Sequence, residues 1–177
     1  HPILGGTASE VTEPTPLLDR CVMHLYVGED TPSIEMERKI VSDAEDHVRA
    51  FLESLGASPS ADAELANTPA RFVELMGELF GGLREEPPRV SIFETPTETT
   101  DPVVIAGLDF KSMCVHHLVP FFGTIDVAYI PGDHIIGFGS VGRLVEYYAR
   151  RPQLQERMVE QIADHLEREL APKGLIV

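Results

Sequence analysis

The sequence predicts an α+β protein, because its hydrophobic residues follow a helical period in some segments and a strand-like alternation in others. Apolar side chains recur every three or four residues between positions 35 and 55, which is typical of an amphipathic helix. From position 103 onward they cluster and alternate as in β-strands, and helical spacing returns between positions 141 and 170. A helical region, a set of strands and a helix pair therefore follow one another along 177 residues.

The two helices of the first half are predicted to be packing elements. The first ends at Gly56, a residue type that commonly closes a helix in the left-handed conformation. For the second, the sequence predicts Thr68 as N-cap, Pro69 in the first turn, and Gly81 with Gly82 as the stop signal. Its apolar stripe is expected to be buried core and consists of Phe72, Val73, Met76, Leu79 and Phe80.

Three segments are predicted along the chain. Residues 1–35 mix Pro, Thr, Glu and Gly without sustained periodicity, which predicts a flexible, loosely docked arm. The helical region at 36–86 follows, and residues 87–177 form the third segment, which begins with a Pro/Thr/Glu-rich connection at 87–102. Within it, strands are predicted at 103–110, 121–130 and 134–136, and helices at 141–150 and 153–170. The closing tripeptide Leu175-Ile176-Val177 has the character of the opening of a further strand.

Composition limits the function classes. The net charge of −15 argues against nucleic acid as a partner, because nucleic-acid recognition normally requires a basic face. No apolar run approaches the roughly 20 residues needed to cross a bilayer, and the N-terminus lacks the pattern of a secretory leader, so a cytoplasmic protein is expected. A phosphorylated small molecule is compatible with the charge, since four arginines cluster locally. These are Arg143, Arg150, Arg151 and Arg157, and for Arg150 and Arg151 a solvated helix face is the alternative interpretation.

A cysteine and two histidines lie within four residues beside a strand-like segment. Cys114 and His117 are three positions apart, so a tight turn can aim both side chains at one ion, and sulfur with imidazole nitrogen favours zinc. His116 is then free to move protons. The alternative is a structural one, in which Cys114 is a small buried hydrophobe and the histidines are surface residues. A thiolate donor also favours a reducing compartment.

A second block, from Ile136 to Met158, follows the Cys-x-His-His turn at a fixed distance. Together with Tyr129-Ile130-Pro131-Gly132 and the upstream run Asn67-Thr68-Pro69-Ala70-Arg71, these blocks resemble GTP cyclohydrolase I. The resemblance extends over most of the chain and leaves out the first thirty-odd residues. It implies the tunnelling fold, in which an antiparallel sheet carries a helix pair. It also implies a homo-oligomer, a toroidal decamer of two stacked pentamers with active sites between subunits.

The resemblance further implies a reaction and a set of site residues. Members of the family open the imidazole ring of the guanine of GTP, release formate and form dihydroneopterin triphosphate with the help of zinc. By this resemblance Cys114 and His117 are zinc ligands and His116 is the catalytic acid/base. The residues implied in substrate binding are Gln155 and Glu156 on the guanine edge and Arg143, with Ser140, on the triphosphate.

Three departures from the family pattern qualify these expectations. Gly139 and Ser140 stand where the family usually has Ser-Lys, which removes one cation near the triphosphate, although Ser140 could still offer its hydroxyl or its amide. Val115 replaces a glutamate between the cysteine and the histidines. The family's His-x-Cys element, which supplies a third zinc ligand, is absent up to Val177, and Cys21 does not fit its position. The element is therefore expected to lie beyond Val177. The alternative is a non-catalytic paralogue that binds purine or partners an active cyclohydrolase.

Overall fold

A computed structural model of the chain describes residues 34–95 and 101–177. The predicted arm therefore falls almost wholly outside the described residues, as does Cys21, and the domain boundaries at 36 and 87 stay predictions. The helices are α1 (Ile34–Ser54), α2 (Thr68–Leu79), α3 (Phe138–Ala149) and α4 (Gln155–Leu170), with a 3-10 turn at Gly81–Leu83. The strands are β1 (Ile92–Glu94), β2 (Val103–Cys114), β3 (Pro120–Ile130), β4 (His134–Ile136), β5 (Pro152–Gln153) and β6 (Gly174–Ile176).

The main sheet has four strands in the order β5-β2-β3-β6. The long strands β2 and β3 pair antiparallel, with Met113 opposite Pro120, and β6 pairs antiparallel with β3. The tripeptide at the end of the sequence thus overlaps a strand, as predicted. The two-residue strand β5 pairs parallel with the end of β2 and divides the helix pair at Pro152. The predicted α+β class, an antiparallel sheet carrying a helix pair, is confirmed.

The core of the protein lies between this sheet and the helix pair α3–α4. Strand residues such as Ile125 and Val127 face the helices, and alternate positions of β3 are exposed, as expected for a sheet with one covered face. The buried hydrophobic residues of this helix pair are Val141, Leu144, Val145, Tyr148 and Ala149 of α3, and Met158, Ile162, Leu166 and Leu170 of α4. None of the described helices is long and apolar enough to cross a membrane.

The N-terminal helices differ from the sequence-based expectation in burial. Helix α1 has no buried residue, and Pro69 is the only buried residue of α2. Phe72, which was predicted to belong to a buried stripe, is 44% exposed, and the rest of that stripe is only half-buried. The prediction of a buried stripe is wrong for the single chain, because α1 and α2 pack mainly on each other and not on the sheet.

Local signals at the helix ends were less accurate than the periodicity. Helix α2 starts at Thr68 with Asn67 in the cap position, one residue earlier than predicted, and without a side-chain cap bond. Pro69 is tolerated in either register, because the first helical N–H groups have no partner inside the helix. Strand β1 was not predicted, because it lies within the Pro/Thr/Glu-rich connection predicted at 87–102; it forms by pairing with β4.

The 3-10 turn attaches the helical region to the end of α3. The Gly82 amide donates to the Arg150 carbonyl at 2.9 Å, and the Arg150 guanidinium forms an ion pair with Glu85, also at 2.9 Å. A Cβ atom on Gly82 would lie 2.2 Å from the Tyr147 carbonyl oxygen. Only glycine therefore permits this approach between the two parts of the chain.

Candidate active site

The Cys-x-His-His segment forms a closed turn between the two long strands. Strand β2 continues to Cys114, four residues beyond its predicted end, because its pairing with β3 continues to Met113. The Cys114 amide donates to the Val119 carbonyl and the Leu118 amide donates to the Cys114 carbonyl, each at 2.9 Å. Leu118 has a φ of +52°, a left-handed conformation that is uncommon outside glycine. Cys114 is thus fixed at the end of a strand, and the turn bearing His116 and His117 follows it.

The predicted metal ligands are accessible. Cys114 is half-buried, and His116 and His117 are exposed with their ring centroids 6.2 Å apart. Across 34–95 and 101–177, no group of three or more His, Cys, Asp or Glu side chains is placed to hold a metal ion. The turn therefore supplies the donor types that zinc prefers, a thiol and imidazoles, but not a full protein ligand set.

Strand β5 brings the start of α4 to this turn. Cys114 lies in register with Gln153, and the Val115 amide donates to the Gln153 carbonyl at 3.0 Å. Helix α4 begins two residues later, so Gln155 and Glu156 occupy its first turn. Both side chains are exposed. The predicted metal-binding turn and the predicted guanine-binding residues, about forty positions apart in sequence, are therefore joined through one short strand.

A cavity of about 360 Å³ lies beside the start of α4. Gln155 and Met158 form part of its helical wall, and Phe110 and Phe121, in edge-to-face contact at 5.7 Å, contribute from the sheet. Phe121 follows Pro120, which pairs with the residue before Cys114, so the cavity begins next to the turn. Its size and its mixture of aromatic and amide side chains are suited to a planar heterocycle.

Arg143 and Ser140 lie apart from the turn, on α3. Arg143 is exposed, and its Nη2 donates to the Ser140 hydroxyl at 3.0 Å. That hydroxyl also accepts from the Ser91 amide at 2.9 Å, while the Ser140 amide donates to the Gly137 carbonyl. Ser140 is only 2% exposed, so both of the groups that were expected to meet phosphate already have partners within the chain. Within the described ranges, no hydrogen bond or ion pair links Arg143 to the turn or to Glu156.

The other three clustered arginines have structural partners. Arg150 pairs with Glu85 and donates from Nε to the Glu78 carbonyl. Arg151 lies over the rings of Tyr147 and Tyr148, at 4.4 Å and 4.9 Å from their centroids. Arg157 donates from Nε to Gln153 Oε1 at 2.7 Å. These three arginines therefore form neither a solvated helix face nor a free basic cluster.

Two buried polar features were not found by sequence reasoning. Gln153 is 1% exposed and its side chain makes hydrogen bonds at both ends. His165 is buried in the helix pair, with Nδ1 3.1 Å from the Tyr148 hydroxyl. The one available signal for His165 was its position on the apolar face of α4, three residues after Ile162. The sequence predicted Gln153 as the first residue of a helix, which is wrong, because it lies in β5 and the helix begins at Gln155.

The chain matches the family model for GTP cyclohydrolase I over residues 44–177. GTP cyclohydrolase 1 from Streptococcus mutans is 43% identical over 146 residues, which cover 80% of this chain and 76% of the relative. The enzyme from Streptococcus thermophilus is 44% identical over 135 residues, 75% of this chain and 71% of the relative. GTP cyclohydrolase 1 from Pyrobaculum neutrophilum is 42% identical over 143 residues, 80% of this chain and 76% of the relative.

The chain belongs to the GTP cyclohydrolase I family. The resemblance inferred from the two sequence blocks is thereby confirmed, and with it the tunnelling fold of the family. The chain is a GTP cyclohydrolase I-like hydrolase, of the class that acts on carbon–nitrogen bonds in cyclic amidines.

Proposed function

We propose that this chain hydrolyses the imidazole ring of the guanine base of GTP, or of a related guanine nucleotide. Water adds at C8 and opens the ring to a formamide, and a second water hydrolyses the formamide to release C8 as formate; with GTP, rearrangement of the ribose and closure of a new ring with loss of water then give dihydroneopterin triphosphate. The observation that carries the proposal is the register of Cys114 with Gln153, which joins the Cys-x-His-His turn to the start of α4. We propose the cytoplasm as its compartment, because a free thiol donor needs reducing conditions.

Cys114 and His117 are proposed as zinc ligands. Both lie on one closed turn, and the thiolate and imidazole are the donor types that zinc prefers. Zinc, when bound, supplies Lewis acidity that makes water a usable nucleophile near neutral pH. Since zinc sites normally have at least three protein ligands and the described residues supply two, a further donor outside those residues is required.

His116 is proposed as the acid/base that moves protons to and from the opening ring. It is exposed, lies beside His117 and has no partner among the hydrogen bonds of the described residues that would occupy its ring nitrogens. Imidazole is the side chain whose protonation changes most readily near neutral pH. His116 can therefore serve the ring nitrogens in turn as donor and acceptor.

Gln155 and Glu156 are proposed to hold the guanine edge. A carboxylate in the first turn of α4 can accept from the ring N–H and from the exocyclic amine, a pair of donors that adenine does not present. Gln155 lies on the wall of the 360 Å³ cavity, where the aromatic residues Phe110 and Phe121 could contact the flat base. Because β5 ties this helix start to Cys114, the base would lie close to the turn.

Arg143 is proposed to contact the triphosphate, and Ser140 to orient Arg143. The exposed guanidinium is suited to phosphate oxygens, while the buried Ser140 hydroxyl accepts one of its N–H groups. Arg143 lies on a different helix from the guanine residues and forms no hydrogen bond or ion pair with them within the described residues. This separation agrees with a site completed by a second subunit.

A homo-oligomer, specifically the toroidal decamer of the family, is proposed for the same reason. Exposed apolar side chains on α1 and α2, such as Phe51 and Phe72, would be covered by neighbouring subunits. Phe122 and Val104, on the outer face of the sheet, are also exposed. Symmetric closure would cover these surfaces and the sheet edges together.

The test is to incubate the purified protein with zinc and GTP, GMP or guanosine, and to measure formate and pterin fluorescence. Stoichiometric formate with a fluorescent pterin product is expected with GTP. Zinc binding and guanine binding without formate would instead support the non-catalytic paralogue. Absence of both formate and nucleotide binding would contradict either function.

A further inference from the structure

Gln153 lies at the junction between the Cys-x-His-His turn and the first turn of α4. Its backbone belongs to β5, where it is in register with Cys114 and accepts a hydrogen bond from the Val115 amide. Its side chain is 99% removed from solvent, which is uncommon for a glutamine and requires internal partners. One residue therefore borders both proposed halves of the active site.

The carboxamide of Gln153 is bonded at both ends. Its oxygen accepts from the Leu154 amide at 3.1 Å and from Arg157 Nε at 2.7 Å, which fixes the entry and first turn of α4. Its nitrogen donates at 2.9 Å to the Tyr148 carbonyl, which attaches the same group to the end of α3, and at 2.9 Å to Gln161 Oε1 on α4. The Arg157 guanidinium closes the arrangement by donating to the Pro152 carbonyl.

This arrangement has a consequence for the start of α4. Leu154 stands in the cap position of the helix and makes no side-chain cap bond, so the cap residue itself does not orient the first turn. The amide of Gln153 and the guanidinium of Arg157 provide that orientation from inside the protein. Glu156 lies between these two anchoring residues, while its own side chain is exposed.

We propose that Gln153 is a positioning residue, which holds the first turn of α4 in register with the Cys114 turn so that Glu156 meets the guanine edge. The inference rests on the proposed function, since it assigns the guanine contact to Glu156. Gln153 does not touch the substrate. It acts through Arg157 and the Leu154 amide, and its loss would remove four hydrogen bonds, one of them buried and three partly buried.

The experiment compares the binding of GTP and inosine 5′-triphosphate. The inosine nucleotide lacks the exocyclic amine from which Glu156 is proposed to accept a hydrogen bond. Dissociation constants are measured by calorimetry on the zinc-loaded full chain, with formate release measured in parallel. Gln153→Leu, of similar size, is expected to reduce the preference for GTP about tenfold, the effect of roughly one hydrogen bond to a charged group. Gln153→Glu keeps an acceptor for Leu154 and Arg157 and is expected to restore most of the preference.

Tyr148→Phe is the matched control, because it removes a buried hydrogen bond of the same helix pair that does not reach the start of α4. It is expected to lower stability and leave the ratio of the two dissociation constants unchanged. If Gln153→Leu does not fold, Arg157→Leu removes the hydrogen bond between Arg157 and Gln153 by changing a half-buried residue. It is expected to reduce the preference for GTP similarly.

If the ratio of the two dissociation constants is unchanged in the folded Gln153 and Arg157 variants, the positioning role is overturned. An equal loss of the preference for GTP in Tyr148→Phe would overturn it as well. A parent protein that binds GTP in preference to the inosine nucleotide but releases no formate would contradict the proposed reaction alone. A parent that binds neither nucleotide would overturn both proposals.

Discussion

The two helix pairs of this chain have similar sequence patterns but different surroundings. Both pairs are amphipathic, with apolar residues at helical spacing. The pair α3–α4 buries its apolar face against the sheet, whereas α1 and α2 keep theirs largely exposed. Periodicity therefore predicts that a helix forms and which face is apolar. It does not predict what covers that face.

The difference also separates chemistry from packing. The proposed metal ligands, the proposed acid/base and the guanine residues all lie on the sheet and its helix pair, where β5 fixes their register. The helices α1 and α2 carry none of them. We expect substitutions in the two regions to have different consequences, the first for turnover and the second for assembly.

The largest expected difference concerns two histidines, one from each region. His116→Ala is expected to lower turnover with GTP by roughly 10²–10⁴-fold, the usual cost of losing a general acid/base. Zinc content and nucleotide affinity should stay close to those of the parent. His47→Ala, an exposed histidine of α1, is the matched control and should leave turnover unchanged. Comparable turnover in the two variants would make His116 structural.

Truncation of an apolar side chain should have region-dependent effects on stability. Leu166→Ala, at a fully buried position of α4, is expected to lower the free energy of unfolding by about 2–5 kcal/mol at any protein concentration. Phe51 of α1 is 61% exposed, so Phe51→Ala should change the free energy of unfolding of the single chain by less than about 0.5 kcal/mol. Its effect is expected as easier dissociation of the oligomer, measurable by sedimentation across a dilution series. Equal, concentration-independent losses would remove the distinction between the helix pairs.

Sequence reasoning succeeded where the signal was local. Helix α1 was predicted at 35–55 and is observed at Ile34–Ser54. The prediction depended only on the helical spacing of apolar residues within this segment. The burial of Ser140 could not be predicted, since it depends on the Ser91 amide, 49 positions away. Gln153 was missed for a different reason: its four partners lie within eight positions of it, but they meet only because β5 turns the chain between α3 and α4. The proposed zinc ligands were found through their spacing and donor chemistry, and the guanine residues through the family resemblance; periodicity found neither.

Arg143 and Ser140 should differ in the size of their effects on affinity. Arg143→Ala is expected to weaken GTP binding by about 1.5–3 kcal/mol, the range for hydrogen bonds to charged groups, with little effect on guanosine. Ser140→Ala leaves the guanidinium in place but less oriented, so a smaller loss in the same direction is expected. Calorimetry at fixed ionic strength compares the ligands, because salt screens phosphate contacts. An equal loss for guanosine would show that Arg143 does not face the phosphates.

The smallest expected effect is a pH dependence of stability within α3–α4. Burial lowers the pKa of His165 below its ordinary value of 6.5; Glu169 opposes this shift and Arg168 adds to it. Because the unfolded chain then binds a proton more readily, the contribution of His165 is present above about pH 6.5 and is lost as the pH falls through the lowered pKa, with a slope of at most about 1.4 kcal/mol per pH unit. Urea unfolding at neutral and mildly acidic pH measures the slope. His165→Gln should reduce it, and His47→Ala, at an exposed position, should not. An unchanged slope in His165→Gln would contradict the assignment.

The zinc content of Cys114→Ser tests most directly the claim that the turn at the end of β2 is the reactive centre. The parent protein, loaded and dialysed, is expected to retain zinc in constant proportion to chain, whereas the variant should lose most of it while keeping its circular dichroism spectrum. Serine preserves the size of the side chain and the backbone bonds to Val119 and Leu118, so the strand end should persist. Equal zinc retention in variant and parent would contradict the account, because the metal would then lie elsewhere.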